Sequence, residues 1–287
     1  MTAIFQYLII GLALGSLYGL IAVGFTIVYN ASSIVNFAHG ELVMIGGMLT
    51  IALVDAGVPV VLAAMSAILG AAVAAGAIQV ATLDRFPRPD PVRVILATLA
   101  VGLVFKAGAL RIWGKDPHYL KPFSSKDRVV LGDVTAPTQA LWVIGVTAVV
   151  VALLWLFYRQ TRVGQGMIAA SIDRSTAGLM GVDVRRVALG AFALSGVIGA
   201  IAGIVTAPLT TSSYSIGTPL AVKGFVAAAI GGIGNPFGAL VGGVIVGLSE
   251  TFATGYVSSE LKDTIALGLG VLLLLMRPQG LLKGSAR

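Results

Sequence analysis

Residues 164–186 read GQGMIAASIDRSTAGLMGVDVRR. This polar, basic stretch belongs to a segment from Arg159 to Arg186 that is flanked by two long uncharged runs. No Asp, Glu, Lys or Arg occurs from Val134 to Tyr158, and none from Val187 to Val222. Runs of that kind span a bilayer, which takes about 20 predominantly apolar residues. The segment between them is a loop, yet it carries a short helical pattern of its own. Asp173 is placed to cap a helix starting near Arg174, because a carboxylate accepts from the free N–H groups of a first turn. Gly181 ends that helix, since glycine permits the left-handed turn. Ala177, Leu179, Met180 and Val182 then form a small apolar knob, of the kind that seats in a groove on a partner. A helix lying flat on lipid would show a larger contrast between basic and apolar faces.

The composition generalises this reading. Apolar residues make up 57% of the 287 and charged residues only 11%, with a mean hydropathy of +0.97. Soluble domains carry about 25% charge, so a water-facing surface cannot be built from this chain. Apolar segments recur from end to end, which predicts one polytopic, all-α membrane domain over residues 1–287. The net charge of +7 is a matter of membrane orientation, not of nucleic acid, because the basic residues gather in short loops. Cysteine is absent and histidine occurs twice, which excludes disulfides and thiol chemistry and disfavours a metal site. The apolar N-terminus lacks a basic leader and runs on past the roughly 7–15 residues of a signal core, so it is read as a first span that stays.

Candidate spans are Ile4–Tyr29, Phe37–Val54, Val58–Leu83, Val94–Trp113, Thr138–Tyr158, Val187–Pro208, Pro219–Ile233, Pro236–Gly255 and Leu261–Met276. The expectation is eight to nine spans, with 219–233 short and either tilted, broken or re-entrant, because Gly231, Gly232, Gly234, Asn235 and Pro236 cluster at its end. Placing the 159–186 loop in the cytoplasm puts eleven basic residues inside and five outside, which fits the positive-inside bias. The inner set includes Arg85, Arg88, Arg93, Arg277, Lys283 and Arg287, and the outer set includes Lys115, Lys121, Lys126, Arg128 and Lys262. The N-terminus is then outside and the C-terminus inside. The one sizeable outer loop, 114–137, contains RVVLGDV, a candidate hairpin turning at Gly132–Asp133.

Glycines repeat at four-residue spacing at Gly11, Gly15 and Gly19, at Gly199 and Gly203, and at Gly238 and Gly242. Such spacing lets helix backbones approach closely in lipid, so these are read as packing faces. No phosphate-binding GxxxxGK[ST], no HExxH and no serine-hydrolase elbow is present, so no ATP-hydrolysing site is recognisable in this chain. Ionisable groups in a membrane default to functional candidates. Asn36 is read as capping the second span, with Glu41 near its positive end; the sharper reading makes His39 and Glu41 a polar contact near the inner mouth that changes between access states. Lys106 lies mid-span and either snorkels, pairs with an acid or attracts a substrate carboxylate; Arg111 snorkels at the outer interface. Tyr18, Thr26 and Asn30 add hydrogen-bonding groups. Lys223 and Glu250 sit near span ends and can pair across helices. No acidic residue is expected mid-span, which counts against an ion-coupled secondary transporter, and no clustered nucleophile or metal set favours a membrane enzyme.

The 164–186 loop resembles the cytoplasmic loop of ABC-importer permeases, and in particular that of the high-affinity branched-chain amino acid permease family. Gly164, Met167, Ala169, Asp173, Ala177, Leu179, Met180, Gly181, Val182 and Asp183 match its pattern, whereas Gln165 and Ile168 stand where it usually has arginine. The stretch GLALGSLYGLIAVGFTIVYNASSIVNFAHGELVMIGG (11–47) is similar to the family's N-terminal signature, and KGFVAAAIGGIGNPFGALVGGVIVGLSE (223–250) to its C-terminal one. The resemblance implies a permease subunit in the cytoplasmic membrane of a bacterium, with a coupling helix between the fifth and sixth spans. Asp173, Ala177, Leu179, Met180, Gly181 and Asp183 would engage the ATPase. Asn36, His39, Glu41 and Lys106 would line or gate the path. It implies two ATPase subunits that hold ATP and Mg while this chain holds no cofactor, a second permease or a second copy, and an external solute-binding protein. The substrate it implies is a branched-chain or similar small amino acid, with urea, short amides and small organic acids as the alternative.

Overall fold

The structure, a computed structural model, describes residues 2–85, 91–124, 128–131 and 134–282. In chain order its elements are α1 (Thr2–Ser32), α2 (His39–Asp55), α3 (Val60–Thr82), α4 (Pro91–Trp113), β1 (Arg128–Leu131), β2 (Val134–Pro137), α5 (Thr138–Gln160), α6 (Arg162–Ile172), α7 (Arg174–Leu179), α8 (Val184–Thr206), α9 (Gly217–Gly231), α10 (Pro236–Tyr256) and α11 (Lys262–Met276). The two strands pair antiparallel with Leu131 opposite Val134. They form the hairpin expected of RVVLGDV, although its turn, Gly132–Asp133, lies outside the described residues. Arg88, Lys126, Lys283 and Arg287 of the charge count lie outside them too.

Among the described residues, six helices are long and apolar enough to cross a membrane, namely α1, α3, α4, α5, α8 and α10. The other three expected spans form shorter helices: 17 residues in α2 and 15 each in α9 and α11. At 1.5 Å per residue these reach about 22–25 Å, against a hydrocarbon core of roughly 30 Å.

Contacts at the two ends of the bundle fix the course of the chain. At one end, Asn30 Nδ2 donates to the Gly234 carbonyl at 3.0 Å, Arg174 Nη1 to the Ser32 carbonyl at 3.4 Å, and Arg185 to Asp84 Oδ2 at 2.7 and 3.0 Å. At the other end, His118 and Ser212 exchange backbone hydrogen bonds of 2.8 and 2.9 Å. The chain between Ser212 and Gly234 therefore passes from one end to the other, although α9 is short. Residues 207–216 approach as non-helical backbone, which is tolerated at depth only where protein buries it.

Helix α1 is the hub, with Leu20, Ile21, Val23, Phe25 and Ile27 all buried. Its glycine row faces α10: a Cβ at Gly11 would lie 3.1 Å from Leu248 Cα, one at Gly15 2.7 Å from Val244 Cα, and one at Gly19 3.3 Å from Leu240 Cα. Gly243 and Gly247 of α10 oppose the same row, each so close that a Cβ would meet the α1 backbone. Gly203 of α8 lies against the Val43 carbonyl of α2, and Gly238 and Gly242 of α10 against the carbonyls of Gly231 and Ala227 of α9. By contrast α3, α4 and α5 turn large apolar side chains outward, with Leu69 67%, Val104 69% and Leu153 59% exposed. Apolar surface on that scale suits hydrocarbon and membrane partners rather than water.

Candidate functional site

The loop at the Ser32–Asp84 end is more ordered than its sequence announces. It holds two helices, where the sequence reading foresees a single short one. Thr161 caps α6, its hydroxyl accepting from Gly164 N–H at 3.0 Å. Gly164 itself rests on the carbonyl of Phe157 with no room for a Cβ, so α6 folds back sharply against the end of α5. Met167 and Ala170 bury the inner face of α6.

Asp173 then separates α6 from α7 and caps the latter. Oδ1 accepts from the N–H groups of Ser175 and Thr176 at 2.8 and 3.2 Å, and the hydroxyls of the same two residues donate to the carboxylate at 2.7 Å each. The Ser175 hydroxyl, then that of Thr176, then the two backbone donors hold the carboxyl well below the usual carboxylate range. Asp183 repeats the device for α8, accepting from the N–H groups of Arg185 and Arg186 at 3.1 Å. Between the caps, Gly181 turns the chain at φ +87°. Ala177 points inward, while Leu179 and Met180 are 89% and 82% exposed. Two large apolar side chains thus stand on a short capped helix, held out from the bundle.

Inside the bundle the four candidate path residues do not form one cluster. Asn36 does not cap α2: its Oδ1 accepts from Ala38 N–H at 3.1 Å in a local turn, and Ala38, the residue before the helix, makes no side-chain cap. His39 and Glu41 do not contact each other, because they leave the first turn of α2 in different directions. His39 is fully buried; its Nδ1 lies 2.9 Å from Ser195 Oγ of α8. Phe25 meets its ring edge-on at 5.1 Å, and Gly24 of α1 leaves space for it that any Cβ would fill. Gly199 of α8 borders the same ring, a Cβ there falling 3.2 Å from His39 Cε1.

Glu41 reaches α9 instead. Its Oε1 accepts from Thr218 Oγ1 at 3.0 Å, its Oε2 has no hydrogen-bond partner among the described residues, and the residue is 4% exposed. Lys106 of α4, half-buried, stands one helical turn beyond Gly102, where a Cβ would lie 3.6 Å from Glu41 Cγ. Ser195 and Thr218 were not singled out in the sequence. Ser195 is one polar residue in a long apolar run, and that isolation is the signal that would have found it; Thr218 follows the polar stretch 210–215 and carries no such signal.

A second buried polar group sits where α1, α9, α10 and α11 meet. Glu250, towards the C-terminal end of α10, is 4% exposed. Its carboxylate accepts from Lys223 Nζ at 2.8 and 2.9 Å and from Tyr18 Oη at 2.7 Å. Lys223 also meets Asp263 Oδ1 of α11 at 2.8 Å and lies over the Tyr18 ring. The pairing of Lys223 with Glu250 was foreseen; the shares of Tyr18 and Asp263 were not.

A helical bundle that keeps an acid and an imidazole dry at the junction of its short helices, behind a lipid-facing exterior, has the make-up of a multi-pass transport permease. Residues 7–276 match the family described as branched-chain amino acid transport system, permease component, and the chain belongs to that family. It is 31% identical to the high-affinity branched-chain amino acid transport system permease protein LivH of Escherichia coli K12 across 96% of this chain and 94% of that protein. It is likewise 31% identical to BraD, the permease protein of the same kind of system in Pseudomonas aeruginosa, across 96% and 95%. Among solved structures it resembles PsaBC from Streptococcus pneumoniae in complex with Fab, with a TM-score of 0.51 and 16% identity, covering 96% of this chain and 91% of that one. That last likeness concerns the fold alone.

Proposed function

We propose that this permease forms the translocation path for branched-chain or similar small amino acids in an ATP-driven importer of the bacterial cytoplasmic membrane. An external solute-binding protein delivers the substrate, a second permease of similar fold or a second copy completes the path, and two cytoplasmic ATPases supply the energy. The observation that carries this reading is the exposed pair Leu179–Met180 on a helix capped at Asp173 and closed at Gly181. An apolar pair held rigidly in water is costly unless a partner covers it.

In this reading Asp173, Ala177, Leu179, Met180, Gly181 and Asp183 make the coupling surface, and Asn36, His39, Glu41 and Lys106 belong to the path. The chain crosses nine times, with α9 and the coil before it together making one crossing. The N-terminus is outside and the C-terminus inside, which the bias of basic residues supports. The substrates printed for the LivH and BraD relatives support the substrate class.

The natural chain has no cysteine, so Met180→Cys provides a single attachment point. Cross-linking from it in membranes holding the assembled complex should capture an ATPase, and ATP-driven uptake of leucine, isoleucine or valine should be present in vesicles. Cross-links to lipid alone would remove the coupling role. Uptake of urea or short amides in place of amino acids would redirect the substrate.

A further inference from the structure

Two helix N-termini meet inside this bundle. A Cβ on Gly40, in the first turn of α2, would collide with the carbonyl of Gly217, the first residue of α9. Glu41 stands at that meeting point. Gly217 lies directly beneath its carboxylate, and any side chain there would displace it. Thr218 holds Oε1, while Oε2 faces the start of α9, a 15-residue helix, without a partner among the described residues. On the opposite side Gly102 of α4 leaves room, a Cβ there standing 3.6 Å from Glu41 Cγ. Lys106 follows one turn further along the same helix.

A carboxylate that served only to finish α9 would need a single accepting oxygen, and a neutral amide would do that at lower desolvation cost. Here one oxygen does the structural task and the other is left over in a dry setting. Buried ionisable groups in membranes are retained where they are used. The start of α9 already holds the Glu41 carboxylate, and the free oxygen of that carboxylate favours a cationic N–H donor. A substrate ammonium meets that demand.

We infer that Glu41 is a specificity-determining residue of the translocation path, its free Oε2 taking the ammonium group of an amino acid substrate. This rests on the amino acid reading proposed above. The Phe25, Phe37 and Phe225 rings, with centroids 5.4–6.3 Å apart, form an apolar wall between α1, α9 and the segment entering α2, against the His39 ring.

The test uses the complete transporter reconstituted with its ATPases, second permease and binding protein. Uptake of leucine over a range of concentrations is measured for the natural complex, Glu41→Gln, Glu41→Asp and the double variant Glu41→Gln/Lys106→Met. Glutamine keeps the size and an acceptor for Thr218, so Glu41→Gln should assemble and melt like the natural complex. Its uptake should fall about tenfold or more, the loss of one charge-assisted hydrogen bond. Glu41→Asp should retain more uptake than Glu41→Gln.

Equal uptake by Glu41→Gln and the natural complex overturns the inference. Failure of Glu41→Gln to assemble also overturns it, since the charge would then be structural. Recovery of uptake in the double variant overturns it as well, because the two charges would then serve only each other. Absence of amino acid uptake by the natural complex is a different result and strikes the substrate reading itself, before any variant is considered.

Discussion

Lys223 of α9 and Glu250 of α10 form an ion pair through both carboxylate oxygens, at 2.8 and 2.9 Å, with only 12% and 5% of their side chains exposed. The Tyr18 hydroxyl completes the hydrogen bonding of the carboxylate, and Asp263 shares the ammonium. The pair thus ties a short helix to three neighbours. Removing Lys223 leaves the Glu250 carboxylate buried with the Tyr18 hydroxyl and, 3.8 Å away, the Lys262 ammonium, so the loss should fall at or below the roughly 3–5 kcal/mol of a fully unpaired buried charge. Lys223→Met should therefore lower the melting temperature in detergent markedly, and adding Glu250→Leu should restore part of the loss. A Lys223→Met protein that melts like the natural one would mean that Lys262 or water takes over the Glu250 carboxylate.

The apolar pair on α7 gives a second prediction. Leu179→Asp with Met180→Asp should leave the permease inserted and monodisperse, because both side chains already face solvent. ATP-driven uptake should fall to background, read as labelled amino acid in vesicles. Normal uptake in that variant would place the contact with the energy source elsewhere on the chain.

The α1–α10 seam gives a third. A Cβ at Gly15 would stand 2.7 Å from Val244 Cα, whereas one at Gly108 meets nothing within 4 Å. Backbone atoms cannot rotate aside as a side chain can, so Gly15→Val should destabilise by more than the roughly 1–3 kcal/mol of ordinary overpacking. Gly108→Val should leave stability almost unchanged. Thermal melts of the two variants side by side decide it.

Asp173 supplies a pH dependence with a definite sign. Its carboxyl is held below the usual range by the Ser175 and Thr176 hydroxyls and N–H groups. A lowered carboxyl pKa means that the cap contributes above the ordinary value of about 3.9 and is lost only as pH falls through the lowered one. Helix α7 should thus keep its start at every pH from neutrality down through the normal carboxylate range. Amide exchange at Ser175 and Thr176 in the natural protein should show no break near pH 4, after correction for the intrinsic rate. Asp173→Ala should expose both amides at all pH values.

The short helix α7 was legible because its signals are local: a capping carboxylate before it and a glycine after it lie within nine residues of sequence, and the structure uses both. The six long spans were legible from length and apolarity. Helix α6 was not, because its stability comes from Met167 and Ala170 docking on other helices and from Gly164 folding against α5, none of which a window of sequence contains. Asn36 looked like a cap because Asn before an apolar run usually is one, but its side chain closes a turn two residues too early. The burial of the two acids was not legible for a related reason. Glu41 and Glu250 each appear close to the end of an apolar run, and only the packing of α9 against α2, α1 and α10 shows that those positions are dry.

Helix α9 begins under the Glu41 carboxylate and ends beside Asn30, which holds the turn at Gly234. A strut of 15 residues is too short to flex appreciably between its ends. The Gly232–Asn235 bend and the Glu41 carboxylate therefore stand at the two ends of one stiff piece, and a displacement of either should be felt at the other.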